Sequence, residues 1–73
     1  MILEDFARAY AKALDKEDIH LEPESKIIDI DGWDSLCVLM TIAFADEEYE
    51  KQLSGQQIAE TNTIRDLWSF LES

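Results

Sequence analysis

The chain contains a single cysteine, Cys37, so it cannot form an intramolecular disulfide, and no cluster of cysteines and histidines could hold a structural zinc ion. A chain of 73 residues without such a cross-link must be held together by hydrophobic packing alone. Its hydrophobic content of 47% is sufficient for a core, although the length lies near the lower limit for one. A deep substrate pocket is difficult to build in so small a core, which favours a binding or carrier module over an enzyme.

The net charge of −11, from 17 acidic and 6 basic residues, limits the partners that the chain can bind. An acidic surface repels nucleic acid and anionic lipid and favours proteins with basic docking patches. Aromatic and aliphatic residues run through the whole chain, so we expect a single folded domain over residues 1–73. The first residues include Glu4 and Asp5 without any basic leader, and no apolar run approaches membrane-spanning length. We therefore expect a cytoplasmic monomer without a signal peptide or membrane insertion.

Apolar residues at helical spacing predict a first helix from Ile2 to Leu14 and a last helix capped by Thr63. The segment 15–34 loses this period, contains Pro23 and Gly32, and is predicted to be a long loop. Some of its apolar residues should hold it on the core, and the candidates are Leu21, Ile27, Ile28 and Ile30. The expected buried stripe of the last helix consists of Ile64, Leu67, Trp68 and Leu71.

Capping residues predict where the other two helices begin. Asp34 carries a short side-chain oxygen that can accept hydrogen bonds from first-turn amides, which predicts a second helix from Ser35 to Gln52. Ser54 followed by Gln57 fits a capping box at the start of a short helix over residues 55–60. The predicted fold is all-α: a small four-helix bundle with three main helices, one short helix and a long loop between the first two.

The second helix is predicted to open within the sequence Gly-Trp-Asp-Ser-Leu at residues 32–36. This motif resembles the phosphopantetheine attachment site of the acyl carrier protein family, in which Asp-Ser-Leu follows a glycine and the serine starts the second helix. The resemblance covers nearly the full length of the chain. It includes the helical first segment, the long loop, the short third helix and the Thr63-Ile64 opening of the fourth.

The resemblance implies a carrier, not an enzyme, with 4′-phosphopantetheine attached covalently to Ser35. A phosphopantetheinyl transferase would install this arm from coenzyme A, and Asp34 would assist the transferase. The thiol of the arm would hold acyl groups as thioesters and deliver them to enzymes that load and transfer them. Physical arguments agree, because the amides and dipole at a helix start favour the negative charge of a phosphodiester. Gly32 allows the tight turn before the site, and Leu36 is expected to anchor the first turn by packing.

Other chemistries at these residues are disfavoured. Ser35 is not expected to be a catalytic nucleophile, because the only histidine, His20, lies in the loop and no other base is apparent. Cys37 has no cation or histidine nearby in the sequence, so we expect a plain thiol. A calcium loop that starts at Asp29 would place Trp33 at its fifth position, so no metal site is expected.

A helical wheel of the second helix separates two apolar sides. The side expected to face the core contains Val38, Leu39, Ile42, Ala45 and Tyr49. The side expected to bind partners contains Cys37, Met40 and Phe44, flanked by Thr41, Glu47 and Glu48. Carriers of fatty-acid synthesis usually have acidic residues near the positions of Cys37 and Met40. The departure predicts either a dedicated partner enzyme or a self-association that recognises a mixed apolar and acidic face. Carriers with a tryptophan in the Gly-Trp-Asp-Ser-Leu form resemble those of specialised pathways, including surface-polysaccharide or secondary-metabolite synthesis. The alternative is that these residues simply widen the core.

Several functional alternatives stay open at this point. An aminoacyl or peptidyl carrier would use the same scaffold and attachment chemistry, and an unmodified protein–protein adaptor could keep the same helical shell. A bound acyl chain could also insert between the second and third helices, where Ala43, Ala45 and Ala59 are small. The cargo, the pathway and the partners are not determined by the sequence.

Overall fold

The structure, a computed structural model, describes all 73 residues and contains four helices and no strand. The helices are α1 (Leu3–Ala13), α2 (Ser35–Tyr49), α3 (Gly55–Glu60) and α4 (Ile64–Glu72). The predicted fold class, a small all-α bundle of three longer helices and one short helix, is confirmed. None of the four helices combines the length and the apolar character that a bilayer crossing requires.

Side-chain caps start three of the helices where the sequence predicts them. Asp34 caps α2, and reciprocal capping boxes open α3 and α4, the first of them between Ser54 and Gln57. The helix α2 ends three residues earlier than predicted, because Glu50 adopts a left-handed conformation with φ of 53°. The prediction for the start of α1 is wrong by one residue, since Ile2 is extended and exposed.

The long loop between α1 and α2 is fixed to the start of α4. The amide of Ile27 donates to the carbonyl of Asn62, and the amide of Ile64 donates to the carbonyl of Ser25, each at 3.0 Å. Within the loop, Leu21, Ile27 and Ile30 are buried, and a 3₁₀ turn forms at Ile27–Asp29. Ile28 instead lies on the outside of this turn and is 64% exposed. Most of the apolar loop residues therefore belong to the core, as expected.

An aromatic cluster joins α1 to α2 at the centre of the core. The ring of Phe44 lies 5.6 Å from that of Phe6 and 5.5 Å from that of Tyr10, between ring centroids. Such ring pairs stabilise a core beyond the area that they bury. The predicted stripe of α4 packs against the same core: Ile64, Leu67 and Leu71 are buried and Trp68 is partly buried. The helix α2 contacts all three other helices, so its orientation fixes the position of Ser35.

Candidate functional site

Ser35 is exposed and forms the first residue of α2, a helix of 15 residues. The first amides of a helix have no acceptor within the helix, and they form the positive end of its dipole. The predicted start of the second helix at Ser35 is confirmed, and the serine lies in solvent. An enzyme can therefore reach this residue, and a negative charge attached to it would lie at the favourable end of the helix.

Asp34 holds the first turn of α2 in place. Its backbone is extended, with φ of −153° and ψ of −173°, and its Oδ1 accepts a hydrogen bond of 3.1 Å from the amide of Cys37. This bond satisfies one of the free amides and leaves the earlier ones, on Ser35 and Leu36, without a side-chain cap from Asp34. The carboxylate and the serine are thus held next to each other at the edge of the helix.

Gly32 provides the turn that leads into this helix. Its φ of +77° lies in the left-handed region, which residues with a Cβ rarely adopt. A Cβ at this position would also lie 2.9 Å from Nζ of Lys16, so the side chain of Lys16 occupies the space that the glycine leaves open. The adjacent amide of Trp33 donates to the carbonyl of Ile30 at 3.0 Å and closes the turn. Both the conformation and the close lysine explain why glycine suits this position.

Cys37 connects the site to the core through several of its atoms. Its amide bonds to Asp34, and its carbonyl accepts a hydrogen bond of 2.8 Å from the hydroxyl of Thr41. Because that hydroxyl donates to Cys37, the phenol of Tyr10 donates to Thr41, at 2.7 Å. The Sγ of Cys37 lies 3.8 Å from the carbonyl oxygen of Gly32. A buried chain of hydrogen bonds therefore joins α1 to the first turn of α2.

Burial and hydrogen bonding have opposite effects on the pKa of the Tyr10 phenol. Burial raises the pKa of its phenol far above the ordinary value, while the bond to Thr41 acts in the opposite direction. The phenol is therefore neutral across the physiological range and serves as a hydrogen-bond donor. Neither Tyr10 nor Thr41 was predicted to support the site. The sequence did contain a signal for this pair. A buried tyrosine requires a hydrogen-bond partner for its hydroxyl, and Thr41 is a polar residue one helical turn after Cys37.

The predicted orientation of α2 is wrong. Cys37 and Phe44, which were expected to face partners, are each only 4% exposed, and the flanking Thr41 is fully buried. Conversely, Leu39 was expected in the core and Leu36 was expected to pack, but they are 62% and 55% exposed. The alternative interpretation, in which the apolar residues widen the core, is therefore correct for Cys37 and Phe44. The physical reason is that the ring of Phe44 completes the aromatic cluster and the hydroxyl of Thr41 bonds to Tyr10.

The remaining predictions for α2 have mixed outcomes. Ala45 is buried as expected, whereas Val38, Ile42 and Tyr49 are only partly buried against the core. Met40 is also partly buried, so it lies at the edge of the core and not fully in solvent. Glu47 and Glu48 are exposed, and their role in binding partners stays a prediction.

The side of α2 that does face solvent begins directly after Ser35. We call Leu36, Leu39 and Ala43 the exposed face of α2; all three are exposed, and they recur at intervals of three and four residues. The exposed Glu47 continues the same row by four residues. This spacing is visible in the sequence. A second row with the same helical period runs from Cys37 to Thr41 and Phe44, so the sequence did not indicate which of the two rows is exposed.

The surface has three clefts of about 430, 420 and 340 Å³, and Ser35 lines none of them. The first lies between α1 and residues 19–23, the second between the end of α1 and residues 17–20, and the third between α3 and α4. No residue of α2 lines any of the three. Ala45 is fully buried, whereas Ala43 and Ala59 are exposed, so these alanines do not surround a common space.

The other ionisable residues singled out from the sequence are solvated. His20 is exposed and its Nε2 lies 2.9 Å from Oε1 of Glu22, also an exposed side chain. No three of the histidine, cysteine, aspartate and glutamate side chains come together as a metal-binding group. The acidic residues around the site, including Asp31 and Asp34, are exposed and give this end of the molecule a negative surface.

Comparison with known proteins gives no assignment. No model of a known protein family matches this chain, and no curated protein matches it at a significant level.

Proposed function

We propose that this chain is an acyl carrier protein in which Ser35 carries a 4′-phosphopantetheine arm. The observation that carries the proposal is an exposed serine at the start of a 15-residue helix, next to a capping aspartate and preceded by a left-handed glycine. The sequence of that segment has the Gly-Trp-Asp-Ser-Leu form, and the whole chain has the size, acidity and helix order of a carrier.

The residues around Ser35 suit a phosphodiester. No bulky side chain covers the serine, and the positive end of α2 lies beneath it. In the reaction with coenzyme A, Oγ of Ser35 forms a bond to the phosphorus that bears the pantetheine, while the pyrophosphate bond breaks and adenosine bisphosphate leaves. The proton of Ser35 passes to a base of the transferase. Oδ1 of Asp34 is used by the cap, which leaves Oδ2 to contact the transferase.

The arm, when attached, supplies a thiol that holds an acyl group as a reactive thioester. The chain itself supplies position and recognition, so it does not act as an enzyme. The exposed face of α2 starts one residue after Ser35 and presents leucines, and Glu47 and Glu48 follow on the same helix. Partner enzymes with a mixed apolar and basic docking patch would complement this surface. The apolar character next to the serine supports a dedicated pathway with its own enzymes.

The proposal is tested by intact mass after co-expression with a phosphopantetheinyl transferase. We expect the wild-type chain to gain the mass of one phosphopantetheinyl group and Ser35→Ala to gain none. Ser69→Ala is the matched control, because Ser69 is an exposed serine within α4, and this variant should be modified like the wild type.

Two results of the mass measurement would contradict the proposal. An unmodified wild-type chain with several transferases of different specificity would favour an adaptor that keeps the bundle without the arm. Added mass that persists in Ser35→Ala would place the attachment on another residue. Once the arm is attached, loading with acyl-transferring and with adenylating enzymes separates an acyl carrier from an aminoacyl or peptidyl carrier.

A further inference from the structure

Lys16 lies beside the candidate attachment site without a partner of its own. Its side chain crosses Gly32, with Nζ 2.9 Å and Cε 4.0 Å from the position that a Cβ on Gly32 would occupy. The chain has 17 acidic residues, yet none of its carboxylates forms an ion pair with Lys16 within 4.0 Å. An ammonium group held against the loop before Ser35 is therefore available to another anion.

The backbone around Lys16 holds it in this position. Its amide donates to the carbonyl of Ala11 at 2.9 Å, and its carbonyl accepts a hydrogen bond from Ile19, also at 2.9 Å. The preceding residue, Asp15, has a φ of 59° and turns the chain sharply at the end of α1. This turn directs the chain from α1 towards the segment that precedes α2, and so brings Lys16 against Gly32.

Three of the other five basic side chains are engaged elsewhere, whereas Lys12 and Lys26 form no ion pair. Arg8 pairs with Asp5, Arg65 pairs with Glu24, and Nζ of Lys51 bonds to two carbonyl oxygens at the end of α4. Gly32 is three residues before Ser35, and three residues of extended chain span about 11 Å at most. The ammonium of Lys16 and an anion on Ser35 therefore lie within a distance at which their charges interact appreciably at low ionic strength.

We propose that Lys16 pairs with the phosphodiester that attaches the arm to Ser35. The inference rests on the proposed function and deepens it, because it names the cation next to Gly32 that would bind the phosphate together with the helix start. A lysine is a compact charge on a flexible stem, and the pair forms when its side chain shifts from Gly32 towards Ser35. The pair would draw the root of the arm towards the end of α1, and it would leave the exposed face of α2 open to partners.

The experiment compares apo and holo forms of the wild type, Lys16→Met and Lys12→Met. Methionine keeps most of the length of the side chain and removes its charge. Lys12 is the matched control because it is an exposed lysine of α1 that does not contact Gly32. The measured quantity is the difference in Tm between the holo and apo forms of each variant, at low and at high salt.

We expect the holo-minus-apo difference to be larger in the wild type than in Lys16→Met by about 2 °C at low salt, the size expected of a partly exposed ion pair in so small a domain. Lys12→Met should show the same holo-minus-apo difference in Tm as the wild type. At high salt the gap between the wild type and Lys16→Met should shrink, because salt screens exposed charges. The phosphorus NMR shift of the holo protein should also change in Lys16→Met and stay unchanged in Lys12→Met, which a purely structural role of Lys16 would not produce.

Two failures are distinguishable. If Ser35 accepts no arm in any variant, the proposed function falls and this inference falls with it. If the arm attaches but the Tm difference and the phosphorus shift are the same in the wild type and in Lys16→Met, the inference alone is overturned.

Discussion

Helices α2 and α4 both bury apolar side chains but leave different residues in solvent. In α4 the apolar stripe faces the core, and the outer side carries mainly Arg65, Asp66 and Ser69, with Phe70 as an exposed exception. In α2 one apolar row is buried while a second, the exposed face, lies in water. Single exposed leucines are ordinary on a protein surface, but two in successive turns beside an exposed serine are unexplained by the fold. The comparison assigns α4 to stability, and under the proposed function it assigns α2 to both stability and recognition.

The largest expected effect is that of truncating Phe44, which lies on the buried row of α2. Phe44→Ala should lower the free energy of unfolding by about 3–5 kcal/mol, because it removes the ring that contacts Phe6 and Tyr10. Such a loss could unfold a domain of this size, so Phe44→Leu serves as a milder variant. Urea denaturation measures both. Leu39→Ala is the control from the exposed face, and a cost for Leu39→Ala equal to that of Phe44→Ala would contradict the orientation of α2.

The buried hydrogen bonds between α1 and α2 give the next largest effect. Thr41→Val keeps the shape of the side chain but leaves the phenol of Tyr10 without an acceptor, which should cost about 2 kcal/mol. Tyr10→Phe/Thr41→Val removes both groups and should recover much of this loss. Thermal denaturation of the two single variants and the double variant gives the coupling between them. Strict additivity would show that the two hydroxyls do not stabilise each other.

The exposed face of α2 should affect recognition and leave stability unchanged. We expect Leu36→Gln and Leu39→Gln each to slow the transfer of the arm to Ser35 by about tenfold, as removal of an apolar contact from an interface does. Phe70→Gln is the matched control on α4, since Phe70 is 44% exposed and far along the chain from the site. Steady-state kinetics with the transferase measures the rates. If all three variants behave alike, the distinction between the outer sides of α2 and α4 is lost.

The caps of helices α2 and α4 should contribute similar amounts to stability. Asp34→Ala should lower the free energy of unfolding by about 1 kcal/mol, the usual contribution of a capping side chain. Thr63→Ala should cost α4 a similar amount. Asp34→Asn keeps an oxygen for the cap and should restore most of the stability. Guanidinium denaturation tests these values, and an unchanged midpoint in Asp34→Ala would show that the cap does not support α2.

The smallest expected effect concerns the contact between the two helices. The hydroxyl of Tyr49 in α2 donates a 2.6 Å hydrogen bond to Glu72 in α4, and this bond lowers the pKa of the Glu72 carboxyl. A carboxylate with a lowered pKa in the folded state stabilises the fold at pH values above its ordinary pKa, near 4, and the contribution disappears as the pH falls through the lowered value. The Tm of the wild type should therefore decrease more steeply below about pH 4 than that of Glu72→Gln. Parallel Tm curves for the two proteins would contradict this contribution.

The difference between α2 and α4 also explains how much could be predicted from the sequence. Thr63 and the stripe from Ile64 to Leu71 predict α4 correctly, because only one side of that helix is apolar. In α2 apolar residues surround the helix, so periodicity predicts that a helix forms but not which side is buried. The orientation is decided by contacts between distant residues, such as Tyr10 with Thr41, which no local pattern contains.

The site itself was partly predictable for the same reason. Asp34, Ser35 and Gly32 act through local geometry, since a cap and a turn depend on neighbours along the chain. The position of Lys16 against Gly32 depends on how the loop folds back from α1, and a sequence pattern does not report it. Local features were therefore visible in advance, whereas the surroundings of the site required the three-dimensional structure.

The burial of Cys37 has a practical consequence for labelling. The chain has no other cysteine, and this one is 4% exposed, so the folded protein offers almost no sulfhydryl to a maleimide dye. Rapid labelling of the native protein would thus report a sulfhydryl that was added after synthesis, whereas a bare chain would react only once urea has opened it. Because the buried cysteine does not react in the folded protein, the amount of dye bound measures how many reactive sulfhydryls the protein has acquired.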